Sequence, residues 1–165
     1  MSYVRMSRVL SIAILVLTGL LLVGCSSFMK DNSDSPRFEH IAINVEDPVA
    51  MADWYCKNLG MKVKFEGDSP GNIRFISDSY GKMMFELYSN ADAAKFDFDS
   101  MDMATLHIAF MVDNVQETCD RLIEAGAKMD KKPAINDSGD EIATLRDPWG
   151  LPIQFVKRAV LMIKY

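Results

Sequence analysis

The chain has no basic run, few clustered lysines or arginines and a net charge of −5, so the electrostatic footprint of a nucleic-acid-binding protein is missing. It also lacks the polar bias of a disordered protein. Charged residues make up 25% of it and apolar ones 49%, an ordinary globular balance over a length that suits one domain. Its one long hydrophobic run, residues 9–24, falls short of the ~20 residues a spanning helix needs. Cysteine is sparse, three in all. Cys56 and Cys119 fall on apolar helix faces and read as small buried hydrophobes, although an exported chain could oxidise them. Histidine is scarcer still, with two residues, and where those two fall is the main functional signal.

The hydrophobic run comes after Arg5 and Arg8 and ends in L-V-G-C at Cys25. A positive start, an apolar stretch of this length and small residues at its end make an export signal. The last four residues resemble a bacterial lipoprotein box, with cleavage before Cys25 and lipid on its sulfur. An uncleaved N-terminal anchor helix is the alternative. Either way the domain sits outside the cytoplasm of a bacterium, facing the periplasm or the cell surface and tethered to a membrane. Two or more acyl chains suffice for stable anchoring. Processing removes Arg5 and Arg8 and no acidic residue, taking the charge from −5 to −7. An acidic body stands off an acidic bilayer. Residues 26–36 are polar and turn-rich, a short tether.

The rest of the chain is one unit written twice. With His40 set on His107, H-I-A-I-N-V-E-D falls on H-I-A-F-M-V-D-N and Asp53 on Asp120. One residue later Gly60 meets Gly126; further on R-F-I-S-D-S-Y-G meets A-T-L-R-D-P-W-G, and Glu86 meets Gln154. Each copy runs strand, helix, strands. In copy one, residues 38–45 alternate as a half-buried strand. Asp47-Pro48 then starts a helix, Met51, Trp54, Tyr55 and Leu59 form its stripe, and Gly60 ends it. Strands come next at 61–65, 73–76 and 83–88. In copy two, Leu106, Ile108, Phe110 and Val112 face the core, a helix covers 115–125, and strands lie at 127–130, 142–146 and 153–157. Residues 131–141 read as a polar loop, and 160–163 as a short apolar tail. The expected architecture is α+β: two βαβββ modules in pseudo-twofold arrangement, forming a curved sheet around a metal cavity. Residues 1–24 are the signal, 25–36 the lipidated tether, 37–90 module one, 91–103 a linker, 104–157 module two and 158–165 a tail.

His40, Glu86, His107 and Gln154 each lie in a strand on the face opposite large apolar neighbours. Helices must cover the apolar faces, so the other faces line a concavity. Two imidazoles, a carboxylate and an amide oxygen are a sensible ligand set for one divalent ion of the Ni, Zn, Co, Fe or Mn kind. The competing account makes them ordinary core or surface residues, yet it must explain symmetric positions for all four.

The segments F-E-H-I-A-I-N-V-E-D, W-Y-C-K-N-L-G-M-K-V, F-E-L-Y-S-N, L-H-I-A-F-M-V-D-N and R-D-P-W-G-L-P-I-Q-F make the chain similar to the vicinal-oxygen-chelate superfamily, from about residue 37 to 157. Within it the chain specifically resembles glyoxalase I (lactoylglutathione lyase) of the short bacterial type. The resemblance implies that His40, Glu86 and His107 are metal ligands, with Gln154 at the fourth position. There the family has a glutamate that also abstracts the proton. Asn90 falls where the family has an asparagine that contacts glutathione. Asn44 replaces an arginine that would hold a substrate carboxylate. The implied reaction moves a proton between adjacent carbons through a metal-held enediolate. An amide cannot collect a proton, so Glu86 is left as the catalytic carboxylate.

The residues support three readings. One is a metal-dependent lyase or isomerase acting on a small α-hydroxycarbonyl or thiol conjugate. Another takes His40, His107 and Glu86 as a 2-His-1-carboxylate site for Fe(II) oxygenation. The last is a surface-tethered module that binds a small ligand without turnover. Related proteins often dimerise and share sites between chains, so a homodimer is expected to be an option here too.

Overall fold

Asp47 and Pro48 open helix α1 (Pro48–Leu59) as the sequence requires: the Asp47 carboxylate accepts from the Ala50 amide at 2.9 Å and Pro48 fills the first turn. Gly60 closes it at φ 68°, a left-handed position that glycine adopts without strain. Helix α2 (Val115–Glu124) starts with a reciprocal cap, Asn114 accepting from the Glu117 amide while its own amide donates to the Glu117 carboxylate. The computed structural model describes residues 36–163. The expected export signal, Cys25 and the expected tether up to residue 35 lie outside the described residues. Among those described, no helix is long and apolar enough to cross a membrane. Helices and strands alike belong to one compact unit, Phe38–Tyr165.

The architecture is α+β, two βαβββ modules built alike. In module one β1 (Ile41–Asn44), β2 (Lys62–Glu66), β3 (Arg74–Ser77) and β4 (Met84–Tyr88) form a sheet in the order β1-β4-β3-β2. In module two β5 (Ile108–Met111), β6 (Lys128–Ile135), β7 (Glu141–Arg146) and β8 (Pro152–Lys157) repeat it as β5-β8-β7-β6. β1 runs parallel to β4, and β5 parallel to β8; the other pairings are antiparallel. A register shift recurs at matching places, after Val63 in β2 and after Met129 in β6. The sheets are separate, so β1 and β5 are open edges.

Packing obeys the pleat. Phe85 and Leu87 of β4 and Ile153 and Phe155 of β8 are buried on the helix-facing side, where Met51, Tyr55, Cys119 and Leu122 meet them. That burial turns Glu86 and Gln154 to the opposite faces. Helix α1 also ties the modules together. The Trp54 indole donates to the Ala125 carbonyl at 2.8 Å, and the Tyr55 hydroxyl donates to Asp147 Oδ2 at 2.9 Å. The linker is pinned by Arg146, which donates to the Phe98 and Met101 carbonyls. Gly150 is obligatory there: a Cβ would lie 2.6 Å from the Asp99 carboxylate.

Two expectations need correction. Residues 131–135 are not loop but the second half of β6, paired to β7 through a further register shift. Pro133 fits because β6 is an outer strand, whose missing N–H faces no ladder. Leu106 precedes β5 instead of pointing into the core, and is 43% exposed. The residue 160–163 tail forms no strand and is exposed.

Candidate metal centre

The six site residues come together as three pairs. The first is His40 with Glu86. Ala42 pairs with Glu86 across β1 and β4, and His40 lies one pleat earlier on the same face. His40 Nε2 sits 3.2 Å from Glu86 Oε2, with both side chains partly accessible. His40 Nδ1 contacts the Glu39 carboxylate, and the imidazole stands edge-on to Phe75 at 5.5 Å. The Glu39 hydrogen bond raises the His40 pKa from its ordinary 6.5; desolvation opposes it, and the charges of Glu39 and Glu86 add to it. His40 thus stands between two carboxylates, a place suited to a cation.

The second pair is His107 with Gln154, in the same relation. Ala109 pairs with Gln154 across β5 and β8, and His107 lies one pleat earlier. His107 Nδ1 donates to the Met103 carbonyl at 2.9 Å, which turns Nε2 to the other side of the ring. A protein acceptor on one ring nitrogen, leaving the other for an ion, is the arrangement of a metal-binding imidazole. Each histidine has one ring nitrogen on a protein acceptor, Glu39 for His40 and the Met103 carbonyl for His107, while the second nitrogen of His40 lies against Glu86. His107 and Gln154 line a cavity of about 380 Å³ with Thr144, Lys131 and Lys132.

Asn44 and Asn90 form the third pair, and they hold each other. The Asn44 amide donates to the carbonyls of Asn90 at 3.0 Å and Ala93 at 3.2 Å, and its oxygen accepts from the Asn90 amide at 2.8 Å. The Asn90 side chain in turn accepts from Asp92. Asn44 is buried and serves as the staple that starts the linker.

The donor set fits a divalent ion only as two halves. Among the described residues no three His, Cys, Asp or Glu side chains converge on one point, so His107 does not join His40 and Glu86 within a chain. The expected single cavity around four ligands is not formed by one chain. Each half stands at the start of an open edge strand.

The carboxylates of Asp78 and Asp147 organise their turns, Asp147 accepting from Trp149 and Leu151 amides at 2.9 Å each. Burial lifts the Asp147 carboxyl to about 6, against its three hydrogen bonds. Cys56 and Cys119 are free thiols, and burial pushes Cys119 up to about 11, which makes it inert. The sequence reading missed Glu39, the Met103 carbonyl and Thr144. Thr144 had a signal, since it aligns with Phe75 in the repeated turn segments.

Residues 37–155 match the family described as the Glyoxalase/Bleomycin resistance protein/Dioxygenase superfamily. A probable lactoylglutathione lyase from Synechocystis sp. is 30% identical over 124 residues, covering 72% of this chain and 92% of that protein. A glyoxalase family protein from Bacillus cereus superposes with a TM-score of 0.63 at 17% identity, over 78% of this chain and 97% of its own. A glutamate-to-glutamine variant of glyoxalase I from Zea mays gives a TM-score of 0.60 at 25% identity, over 75% of this chain and 46% of its own.

Proposed function

Since the chain belongs to the Glyoxalase/Bleomycin resistance protein/Dioxygenase superfamily, we propose that it is a glyoxalase-like, metal-dependent lyase or isomerase. Its substrate class is a small α-hydroxycarbonyl or thiol conjugate. One observation carries the proposal: two matching donor pairs, each imidazole held by a protein acceptor on one ring nitrogen, stand at the edge strands β1 and β5.

The site is completed by a second copy, β1 of one protomer lying near β5 of its partner so that His40 and Glu86 of one chain meet His107 and Gln154 of the other. Ile41, Met111 and Phe38 are exposed along or beside these edges, as a subunit contact would need. A bound divalent ion supplies polarisation of two adjacent substrate oxygens. The side chains do the rest. Glu39 and the Met103 carbonyl orient the two rings, and Glu86 takes the proton from one substrate carbon and returns it to the next. Gln154 holds an oxygen donor in place but moves no proton. Glu86 therefore carries the acid–base work alone, and the neutral amide leaves the site one charge more positive than a two-carboxylate set. That favours anionic or enolate-like ligands.

The test is turnover of a hemithioacetal panel by the metal-loaded protein beside Glu86→Gln. Turnover abolished in the variant supports the proposal; equal inertness of both sinks it. The amide at Gln154 also motivates a second reading, a binding module without turnover, which saturable ligand binding with no product would establish. The same proposal anchors the chain to a bacterial membrane through lipidated Cys25. Loss of labelled-palmitate incorporation in Cys25→Ala, with release from the membrane fraction, checks it.

A further inference from the structure

The two imidazoles are held by different means. His40 leans on the side chain of Glu39, the exposed residue beside it. His107 instead reaches four residues back, to the main-chain carbonyl of Met103. The repeat gives module two no counterpart of Glu39, because Leu106 stands at that position. A backbone acceptor is only as well placed as the segment that carries it, and Met103 lies in the linker, outside either sheet.

That segment is fastened at two points. Arg146, the last residue of β7, donates to the carbonyls of Phe98 at 2.7 Å and Met101 at 2.8 Å. It also donates to the Gly150 carbonyl at 3.1 Å, in the turn that leads into β8 and Gln154. One rigid, planar fork therefore grips the linker and the approach to the second donor together. The Asp130 carboxylate, 3.9 Å from Nε, is too far for a hydrogen bond, so the carbonyls alone fix the plane of the group. The second point is a turn. Asp102 Oδ1 accepts from the Ala104 amide at 2.7 Å and its carbonyl from the Thr105 amide at 2.9 Å, with Met103 buried between them. In module one the residue matching Arg146 is Ser77, whose hydroxyl donates to the adjacent Asp78 carbonyl and reaches no linker.

We propose that Arg146 is a positioning residue for His107. It touches neither donor of module two. By clamping the carbonyls of Phe98 and Met101 it sets the turn at Asp102, the turn sets the Met103 carbonyl, and that carbonyl sets the plane of the imidazole and the direction of Nε2. The first module leaves the same task to an exposed side chain; the second builds it into the connection between the modules.

The inference rests on the metal-site reading above in one of its two readouts only. The first readout is nitrogen NMR of the metal-free full chain, labelled in its imidazole rings, at about pH 8, where an ordinary imidazole is neutral. The chain has two histidines, so comparison with His40→Ala assigns the His107 ring. A carbonyl only accepts, so wild-type His107 should be protonated on Nδ1. Arg146→Met should move the ring to the mixed tautomers of free histidine and leave His40 unchanged. Asp102→Ala, an exposed change at the other fastening point, should move it the same way. Arg146→Lys keeps stem and charge, and so folds even where Arg146→Met does not; lacking the fork, it too should shift the ring. Arg158→Met, which breaks the 2.7 Å pair with Asp140, is the control for lost stability and should leave His107 in place. The second readout is metal affinity, expected to fall about tenfold in Arg146→Met and Asp102→Ala, the low end for an outer partner of a ligand. A His107 ring unmoved by changes at Arg146 and Asp102, an equal shift in Arg158→Met, or full recovery in Arg146→Lys overturns the inference. A wild-type chain that takes up no metal, with the ring shift still confined to the Arg146 and Asp102 variants, defeats the metal-site reading and supports this one.

Discussion

Module one surrounds its glutamate with Phe75 and Phe65; module two surrounds the matching glutamine with Thr144 and Lys131. Behind those faces the halves are nearly interchangeable, with Phe85 and Leu87 on one sheet and Ile153 and Phe155 on the other, all buried. The comparison teaches where a duplicated module is constrained. Positions that pack on a helix keep their apolar character in both copies because a cavity or a buried polar group there is costly. Positions on the donor face lie opposite the helix-packed side, so they are free to take opposite chemistry.

The comparison breaks first if the two frameworks are unequal. Phe85→Ala and Phe155→Ala each remove a ring from a close-packed core, and each should cost about 3–5 kcal/mol in urea unfolding. A cost confined to one of them would mean that one sheet is peripheral to the fold. Next come the donors. His40→Ala and His107→Ala should each lower metal affinity by more than ~100-fold, beyond the loss expected for an outer partner such as Glu39, with Cys56→Ser as the unchanged control. Elemental analysis reads this directly, and retention in either histidine variant breaks the symmetry of the halves.

Tyr55→Phe tests the contact between modules. It removes one hydrogen bond to the buried Asp147 carboxyl and should cost about 1–3 kcal/mol. The sign with pH is defined. Because burial raises Asp147 to about 6 from 3.8, its contribution is full below the unfolded value and declines as pH rises through about 6. The Tyr55 bond matters most once the carboxylate is charged, so the deficit of the variant should be larger at pH 7.5 than at pH 4.5. The smallest effect concerns His40, whose pKa is raised by Glu39 and Glu86. A proton there competes with an ion, so metal affinity should start to fall at a pH above 6.5 and metal uptake should release protons. Glu39→Gln should move that onset down.

Much of this was legible in the sequence because the repeat doubles every signal. Asp47, Pro48 and Gly60 mark the ends of α1 by local chemistry alone, and the alternation around Glu86 and Gln154 fixes which face each one takes. The second half of β6 was not legible. Lys131, Lys132 and Pro133 carry no strand pattern, since an outer strand with two register shifts is held by one neighbour and buries little. Leu106 misled because its side chain continues the alternation of β5 although the ladder begins two residues later. The site was half legible: each donor pair can be read from the pleat, but their separation into two sheets is a matter of tertiary placement that periodicity does not encode.

The central claim is that one ion is held jointly by the two unlike halves of different chains. Mixing His40→Ala protein with His107→Ala protein under subunit exchange tests it most directly. In a twofold dimer the mixed pair keeps one intact site, built from the unaltered His107 of the first chain and the unaltered His40 of the second. Metal content should recover to about a quarter of the wild-type value in the statistical mixture, from near zero in each variant alone. A mixture as empty as its two components would contradict the shared site.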